Sequence, residues 1–443
     1  MKHFRYQKWI TLTVLAALLI SVTACQTSPE PEIAPSPVPP VTEEESEQTL
    51  ESREPDTKQE ETSSDREESS SDPCSSSSGK TAAELLDDGS VRDISSMDFA
   101  KEMGIGLNLG NTLEAYWADE NNSTTGAQRI GTNSPYAYET CWGAVYTTDK
   151  AIKGIREAGF STIRIPVYWG NMMEDDGTFT INEDYIARVD QIISMSRQNN
   201  LDVVVNIHHY DGFLVEHLEK DKAIEVAGHL WTQIAEHLEP WSDHVIFEGY
   251  NEALGSVRKE DHYTEDEIYD YVNAMNQAFV SAVRSTGGNN KDRLLIVSGY
   301  WTNIDKTTNP KFKLPEDETK DRLMVSVHYV DNAMFWSNSI GNEKWRNYTK
   351  SQCELLKNAF TDQGIPVFMG ECTAGYPKER IAKDSDGKES CEYVSETLNT
   401  LADYGFVPVI WDTSNNFYNR TRGEISDENN AAVVRQISER LGE

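Results

Sequence analysis

Eight short apolar runs, rich in β-branched residues, recur along residues 80 to 443 of this chain. Most intervals between them carry apolar residues at helical spacing, such as Ile186, Val189 and Ile193. Apolar strands that alternate with amphipathic helices indicate parallel pairing through right-handed crossovers. Eight units close a (β/α)₈ barrel, whereas an open doubly wound sheet usually has fewer, so the sequence predicts an α/β TIM barrel. The runs are 104–110, 161–169, 201–209, 244–252, 293–300, 323–330, 366–373 and 407–413.

Two further features complete the predicted topology. The segment 95–103 predicts a short helix that leads into the first strand. The fifth unit is the weakest, because residues 300–321 show little helical periodicity and contain two prolines.

Residues 1–25 have the layout of an export signal. Lys2, Arg5 and Lys8 precede an apolar stretch that is too short and one-sided for a permanent membrane span. The small residues before Cys25 resemble the lipobox of bacterial lipoproteins, in which the cysteine is acylated. An ordinary secretory signal is the alternative. We therefore expect an exported protein, lipid-anchored through Cys25 at the bacterial cell surface or released outside the cell.

Residues 26–79 consist mainly of Pro, Ser, Thr and Glu, with 15 acidic and 3 basic residues. Such a segment buries too little apolar surface to offset its ordering entropy, so we predict a disordered linker. The formal net charge of the chain is −34, to which the linker contributes −12 and the signal +3. The remaining −25 on the single folded domain, residues 80–443, argues against a nucleic-acid partner.

Four cysteines remain in the folded domain, and their wide spacing is not that of a metal site. Their sequence positions leave open whether any two form a disulfide or all are free thiols. They are Cys141, Cys353, Cys372 and Cys391.

Polar and aromatic residues follow the apolar core of every predicted strand. Because the carboxyl ends of barrel strands converge on one mouth, we expect these side chains to form a single site. They are Asn108, Asn111, Arg164, His208, His209, Asn251, Glu252, Trp301, Asn303, His328, Tyr329, Glu371, Trp411 and Asp412.

Two of these residues, Glu252 and Glu371, follow strands four and seven and are expected to face each other across the mouth. Two opposed carboxylates are the groups that glycoside hydrolysis requires. A separation of about 5 Å predicts retention of anomeric configuration, and about 7–9 Å predicts inversion. Indole rings at strand ends can stack on sugar rings. The candidates are Trp169, Trp301, Trp336 and Trp411.

The stretches "GIGLNLGNTLEA", "STIRIPV", "NIHH", the "NE" after strand four and the "GE" of strand seven resemble glycoside hydrolase family 5, the large retaining cellulase family. The resemblance implies that Glu252 is the general acid/base and Glu371 the nucleophile. It also implies that Asn251 contacts the sugar 2-hydroxyl and that Arg164 orients Glu371. The expected substrate-binding residues are Asn111, Arg164, His208, His209, Asn251, Trp301, His328, Tyr329 and Trp411.

The resulting prediction is a retaining endo-β-1,4-glucanase that acts on cellulose, mixed-linkage glucan or xyloglucan. We expect a monomer that uses no metal and no other cofactor. An endo-β-mannanase or a xylanase on the same scaffold is the alternative.

One position departs from the family pattern. The family usually has a tyrosine two residues after the strand-six histidine, where it donates a hydrogen bond to the nucleophile. This chain has Val330 there, directly after Tyr329. Either Tyr329 or another hydroxyl replaces that tyrosine through a local shift, or the nucleophile is less restrained and the enzyme slower.

Two other readings compete. His208 and His209 could belong to a metal-dependent barrel hydrolase, but adjacent strand residues point to opposite sides, so only one should face the mouth. The second reading is a non-catalytic glycan-binding lipoprotein. Val330 favours that reading, whereas the presence of both glutamates argues against it.

Overall fold

The computed structural model describes residues 87–116, 133–255, 263–413 and 417–442. All of them belong to one compact unit that spans Gly79–Glu443. The predicted signal, the predicted linker and Cys25 lie outside the described residues.

Eight parallel strands form a closed barrel in which each strand pairs with its neighbours in chain order and β8 pairs with β1. The predicted (β/α)₈ TIM barrel is therefore confirmed, and each strand lies inside one of the eight predicted runs. The strands are β1 Gly106–Asn108, β2 Thr162–Ile165, β3 Asp202–Asn206, β4 Val245–Glu248, β5 Leu295–Ser298, β6 Leu323–His328, β7 Val367–Cys372 and β8 Val407–Ile410.

Helices follow the strands and surround the barrel. They are α1 Ser96–Met103, α2 Pro135–Glu139, α3 Asp149–Glu157, α4 Glu183–Gln198, α5 Tyr210–His217, α6 Lys220–Leu238, α7 Glu265–Ser285, α8 Ile304–Thr307, α9 Asn332–Trp336, α10 Glu343–Ala359, α11 Ser390–Asp403 and α12 Glu428–Gly442. A short antiparallel pair, β9 Tyr418–Asn419 and β10 Glu424–Ile425, precedes α12. As the sequence indicated, the fifth unit is weak, because α8 has only four residues.

Local signals fix where these helices begin. The Asn182 side chain accepts hydrogen bonds from the first backbone N–H groups of α4. At the start of α7, Thr264 and Glu267 form a reciprocal capping box. Such caps satisfy backbone donors that the helix itself cannot pair.

The barrel interior has an apolar layer and a polar layer. Val204, Ile246 and Ile296 point inward and pack with Phe99 and Met103 of α1, which closes the amino-terminal end of the barrel. Two residues further along each strand, the inward positions become polar, since side chains on one face of a strand repeat every second residue. Those positions are Asn206, Glu248 and Ser298. The polar layer is therefore the floor of the barrel mouth.

Cys353, Cys372 and Cys391 are free thiols, so no disulfide joins any two of the four cysteines of the domain. Among the described residues, no helix combines the length and apolar character needed to cross a bilayer.

Candidate active site

The guanidinium of Arg164, near the end of β2, organises the polar layer of the barrel. Its side chain is fully buried. It donates to Glu248 Oε2 at 2.6 Å, to Asn108 Oδ1 at 2.9 Å and to Asn251 Oδ1 at 2.9 Å. A fourth hydrogen bond, at 3.2 Å, reaches Glu371 Oε1. Arg164 thus connects two carboxylates and two amides from the ends of three other strands, β1, β4 and β7.

Glu248 is a fully buried carboxylate that the sequence analysis did not single out. Besides Arg164, it accepts hydrogen bonds from Asn206 Nδ2 at 3.0 Å and from Ser326 Oγ at 2.7 Å. A buried charge requires such partners, because desolvation without them costs several kcal/mol. The signal in the sequence was its position two residues after Ile246, on the inward face of β4.

The two predicted catalytic glutamates come together. Glu371 is in β7, where its side chain keeps 9% of its exposure, and Glu252 follows β4 with 42%. One carboxylate oxygen of each lies within 4.8 Å of the other. His328 sits beside both, with Nδ1 at 3.5 Å from Glu252 Oε1 and 3.7 Å from Glu371 Oε2. The arrangement places a half-exposed carboxyl group next to a buried one.

Trp301 approaches the same pair from the loop after β5. Its indole Nε1 donates to Glu252 Oε2 at 3.2 Å, and its backbone N–H donates to Ala253 O at 2.8 Å. The residue has a φ of +52°, in the left-handed region, and its side chain is an exposed aromatic surface. Trp301 therefore combines an exposed ring with a fixed contact to Glu252.

The surroundings drive the pKa values of the two glutamates apart. For Glu371, burial and repulsion from Glu252 raise the pKa against the opposing effect of His328 and Arg164. For Glu252, burial acts to raise the pKa, but the neighbouring His328, His209 and Trp301 outweigh it and lower the pKa. Two carboxyl groups this close titrate as a coupled pair. The pair therefore holds one proton in the pH range between its first and its second deprotonation.

Tyr329 reaches Glu371 although Val330 occupies the family's tyrosine position. Its hydroxyl donates to Glu371 Oε2 at 3.4 Å, and its backbone N–H donates to Glu371 O at 3.0 Å. The pairing of β6 with β7 shifts register between Val327 and His328, and Tyr329 has a φ of +43°. Val330 is buried in the main hydrophobic core. Of the two alternatives raised by the sequence, the geometry matches the local shift that brings Tyr329 to Glu371.

His208 and His209 both lie just beyond β3, and their rings are 4.4 Å apart. His208 stacks on Trp411, with 5.9 Å between ring centroids, and burial lowers its pKa well below the usual value. His209 packs against Trp142. Because β3 ends at Asn206, the strand alternation on which the expectation of a single mouth-facing ring was based does not extend to these two residues.

The remaining predicted residues divide between the rim and the core. Asn111 lies in the loop after β1, where its backbone N–H donates to the buried Glu114. Trp336 is 47% exposed on α9, with the Arg380 guanidinium 4.5 Å from its ring centroid. Trp169 is fully buried and donates through Nε1 to a backbone carbonyl, so its proposed contact with sugar is wrong.

One group of side chains in the described part of the chain has the geometry to hold a metal ion. It consists of Glu252, His328 and Glu371, whose ligand atoms lie within 4.8 Å of one another. Among the same residues, neither His208 nor His209 belongs to such a group. The metal-dependent site considered from the sequence is therefore not found at these two histidines.

The chain matches the protein-family model described as cellulase, glycosyl hydrolase family 5, over residues 119–417, which is more than half of its length. The chain belongs to glycoside hydrolase family 5. Both the predicted family and the predicted enzyme class, a glycoside hydrolase of the cellulase family, are confirmed.

Relatives of this family 5 protein cover most of its folded domain. Endoglucanase A of Ruminococcus albus is 31% identical over 343 residues, which span 75% of this chain and 87% of the relative. The Bacteroides ovatus xyloglucanase solved with an XXXG heptasaccharide has a TM-score of 0.67 at 26% identity, and the match covers 79% of this chain and 77% of that one. A Caldicellulosiruptor lichenase mutant solved with cellotetraose also has a TM-score of 0.67, at 28% identity over 78% of this chain and 96% of that one.

Replacement of Glu248 by glutamine should destabilise this family 5 domain by about 3 kcal/mol, because it leaves the buried Arg164 with less compensating charge. Urea unfolding measures the change. Glu102→Gln is the matched control, since Glu102 pairs with Arg92 at the surface and should contribute less than about 1 kcal/mol. Equal effects of the two substitutions would contradict a structural role for the Glu248 charge.

Tyr329→Phe removes one hydrogen bond to the Glu371 carboxylate and leaves the aromatic ring. A hydrogen bond to a charged group contributes about 1.5–3 kcal/mol, so kcat/KM should fall about 10- to 100-fold. Hydrolysis of a soluble β-glucan measures the effect. The exposed Tyr136→Phe should leave the rate unchanged, and an unaltered rate in Tyr329→Phe would show that the hydroxyl does not support the nucleophile.

Proposed function

We propose that this family 5 protein is a retaining endo-β-1,4-glucanase in which Glu252 is the general acid/base and Glu371 the nucleophile. The approach of their carboxylate oxygens to within 4.8 Å is the observation that carries the proposal. Retaining glycosidases hold their carboxyl groups about 5–5.5 Å apart, whereas inverting enzymes leave room for a water molecule between acid and sugar.

The reaction runs in two displacements. Glu371 attacks the anomeric carbon while Glu252 transfers its proton to the glycosidic oxygen, so the C–O bond to the leaving chain breaks as the glycosyl–enzyme ester forms. Glu252, now ionised, takes a proton from a water molecule that attacks the same carbon and releases Glu371. Two inversions at one carbon give net retention, and Glu252 ends protonated as it began.

Substrate binding places the proton of the pair on the acid/base. In the free enzyme, Glu252 keeps 42% of its exposure and its pKa is lowered. A sugar ring stacked over the mouth covers Glu252 and removes its water, which raises its pKa because burial disfavours the charged form. The Glu371 carboxylate is at the same time held by Arg164 and Tyr329. Desolvation by the substrate thus prepares both groups for the first step.

Asn251 is suited to bind the sugar next to the reacting carbon. Its amide oxygen accepts the hydrogen bond from Arg164, which leaves the NH₂ group as the donor toward the mouth. A hydrogen bond to the sugar 2-hydroxyl strengthens in the transition state of this reaction. Arg164 therefore orients Asn251 and Glu371 through the same guanidinium.

The relatives favour β-glucan as substrate class. Their names include endoglucanase, xyloglucanase and lichenase, and their complexes contain a xyloglucan heptasaccharide and cellotetraose. All three kinds of enzyme act on glucan backbones. We therefore place β-1,4-glucan, plain, mixed-linkage or xyloglucan, ahead of mannan and xylan for this chain.

Glu252→Gln and Glu371→Gln should each lower hydrolysis of a soluble β-1,4-glucan by about 10²-fold or more, since each removes a group that acts in the transition state. Residues 80–443 would be assayed on β-glucan, xyloglucan, galactomannan and xylan, and NMR would identify the anomer first released. The expected product is the β-anomer from a glucan. Release of the α-anomer would disprove retention, and absence of turnover on every glycan would favour the glycan-binding protein.

The rate should show a bell-shaped dependence on pH. Below the lower pKa of the pair both carboxyl groups are protonated, so Glu371 is not nucleophilic and the rate falls as the pH falls. Above the upper pKa both are ionised, so Glu252 has no proton to donate and the rate falls as the pH rises. A dinitrophenyl β-cellobioside needs no acid assistance, and its first-step rate should lose the alkaline arm. An alkaline arm that persists with this substrate would contradict the role of Glu252.

A further inference from the structure

The imidazole of His328 is buried, and neither ring nitrogen has a neighbour at hydrogen-bond geometry, although Nδ1 lies within ion-pair distance of two carboxylates. Its residue keeps only 6% of its exposure. Nδ1 points between the catalytic pair, at 3.5 Å from Glu252 Oε1 and 3.7 Å from Glu371 Oε2. A buried polar group that makes no hydrogen bond is uncommon in folded proteins and calls for a physical explanation.

The position of this ring is restricted by its neighbours. A Cβ atom on Gly370 would lie 3.1 Å from His328 Nε2 and 3.0 Å from Ser326 Oγ, so the glycine permits the close approach of the imidazole. Held in this way, Nδ1 is aimed at the space between the two carboxylates. Three atoms that can ligate a metal ion thus converge on the space between the two carboxylates, which is also where the glucanase reaction is proposed to occur.

We propose that Glu252, His328 and Glu371 form an inhibitory site for a divalent transition-metal ion such as Zn²⁺. Neighbouring ligands of a tetrahedral zinc ion are about 3.4 Å apart when the metal–ligand bonds are about 2.1 Å long. Both separations from His328 Nδ1 are close to this value, and a small side-chain movement brings the two carboxylate oxygens from within 4.8 Å to the same spacing. Imidazole nitrogen and carboxylate oxygen are both zinc ligands, and three protein ligands leave the fourth position of a tetrahedral ion open to water.

The ion would act as an inhibitor because it occupies both groups of the proposed pair. With the metal bound, Glu252 cannot transfer a proton and Glu371 cannot attack the anomeric carbon. The effect on rate rests on the proposed function, whereas the binding itself does not. Mg²⁺ should bind far more weakly, because it prefers oxygen ligands in octahedral geometry and loses its water reluctantly.

Isothermal titration calorimetry of the intact, tag-free domain with Zn²⁺ tests the site. One ion should bind per chain, and His328→Gln should weaken binding by at least about tenfold, since loss of even an outer contact to a metal ligand costs about 10- to 100-fold. His229→Gln is the matched control, because His229 is an exposed imidazole on α6 and its loss should leave the affinity unchanged. Glu252→Gln is the second variant, should His328→Gln fail to fold. Inhibition of glucan hydrolysis by Zn²⁺ should be competitive with substrate.

Binding and activity report separately on the two proposals. Zinc binding that requires His328 in a protein without glucanase activity would support the metal site and contradict the proposed function. Three results in an enzyme with normal glucanase activity would overturn the metal site. They are absence of Zn²⁺ binding, equal Zn²⁺ affinity in wild type and His328→Gln, and Zn²⁺ inhibition that added substrate does not relieve.

Discussion

The active site depends on one buried cation. Arg164 has no contact with water, and its guanidinium is neutralised by Glu248, which is itself fully buried and accepts three side-chain hydrogen bonds. A buried ion pair is tolerated only when the remaining hydrogen-bonding groups are also satisfied. With Glu248 as its permanent partner, Arg164 can hold Glu371 and Asn251 by further hydrogen bonds. Glu371, the proposed nucleophile, is therefore oriented by a group whose own charge is already compensated inside the barrel.

The barrel could be predicted from the sequence because its evidence is periodic and repeated eight times. The polar ends of the strands were visible for the same reason, and they brought Glu252, Glu371, Arg164 and Asn251 into one site. Glu248 was missed because it stands inside an apolar run, where only the alternation of inward and outward positions distinguishes it. Trp169 was misassigned because position at a strand end does not tell whether a ring faces the mouth or packs against the core.

The contact between Tyr329 and Glu371 shows a different limit of sequence reading. A one-residue shift of register between β6 and β7 and a left-handed backbone at Tyr329 accompany the contact of its hydroxyl with Glu371. Neither feature has a signal in the residue types, since tyrosine does not favour positive φ. The shift accompanies the packing of Val330 in the core, which only the folded chain reveals. The strands of the barrel and most residues of the site could thus be predicted from the sequence. The contact between Tyr329 and Glu371 could not.

Trp301 and Thr302 both have positive φ, a conformation that costs of order 1–3 kcal/mol for each residue. The hydrogen bonds of Trp301 to Ala253 O and Glu252 Oε2 help to hold this backbone in place. The indole is consequently immobilised during folding rather than during encounter with a polysaccharide. In the proposed glucanase, a glucan chain that stacks on this ring would lose its own conformational freedom without restricting that of the protein, so preorganisation of the ring would increase affinity without any additional contact.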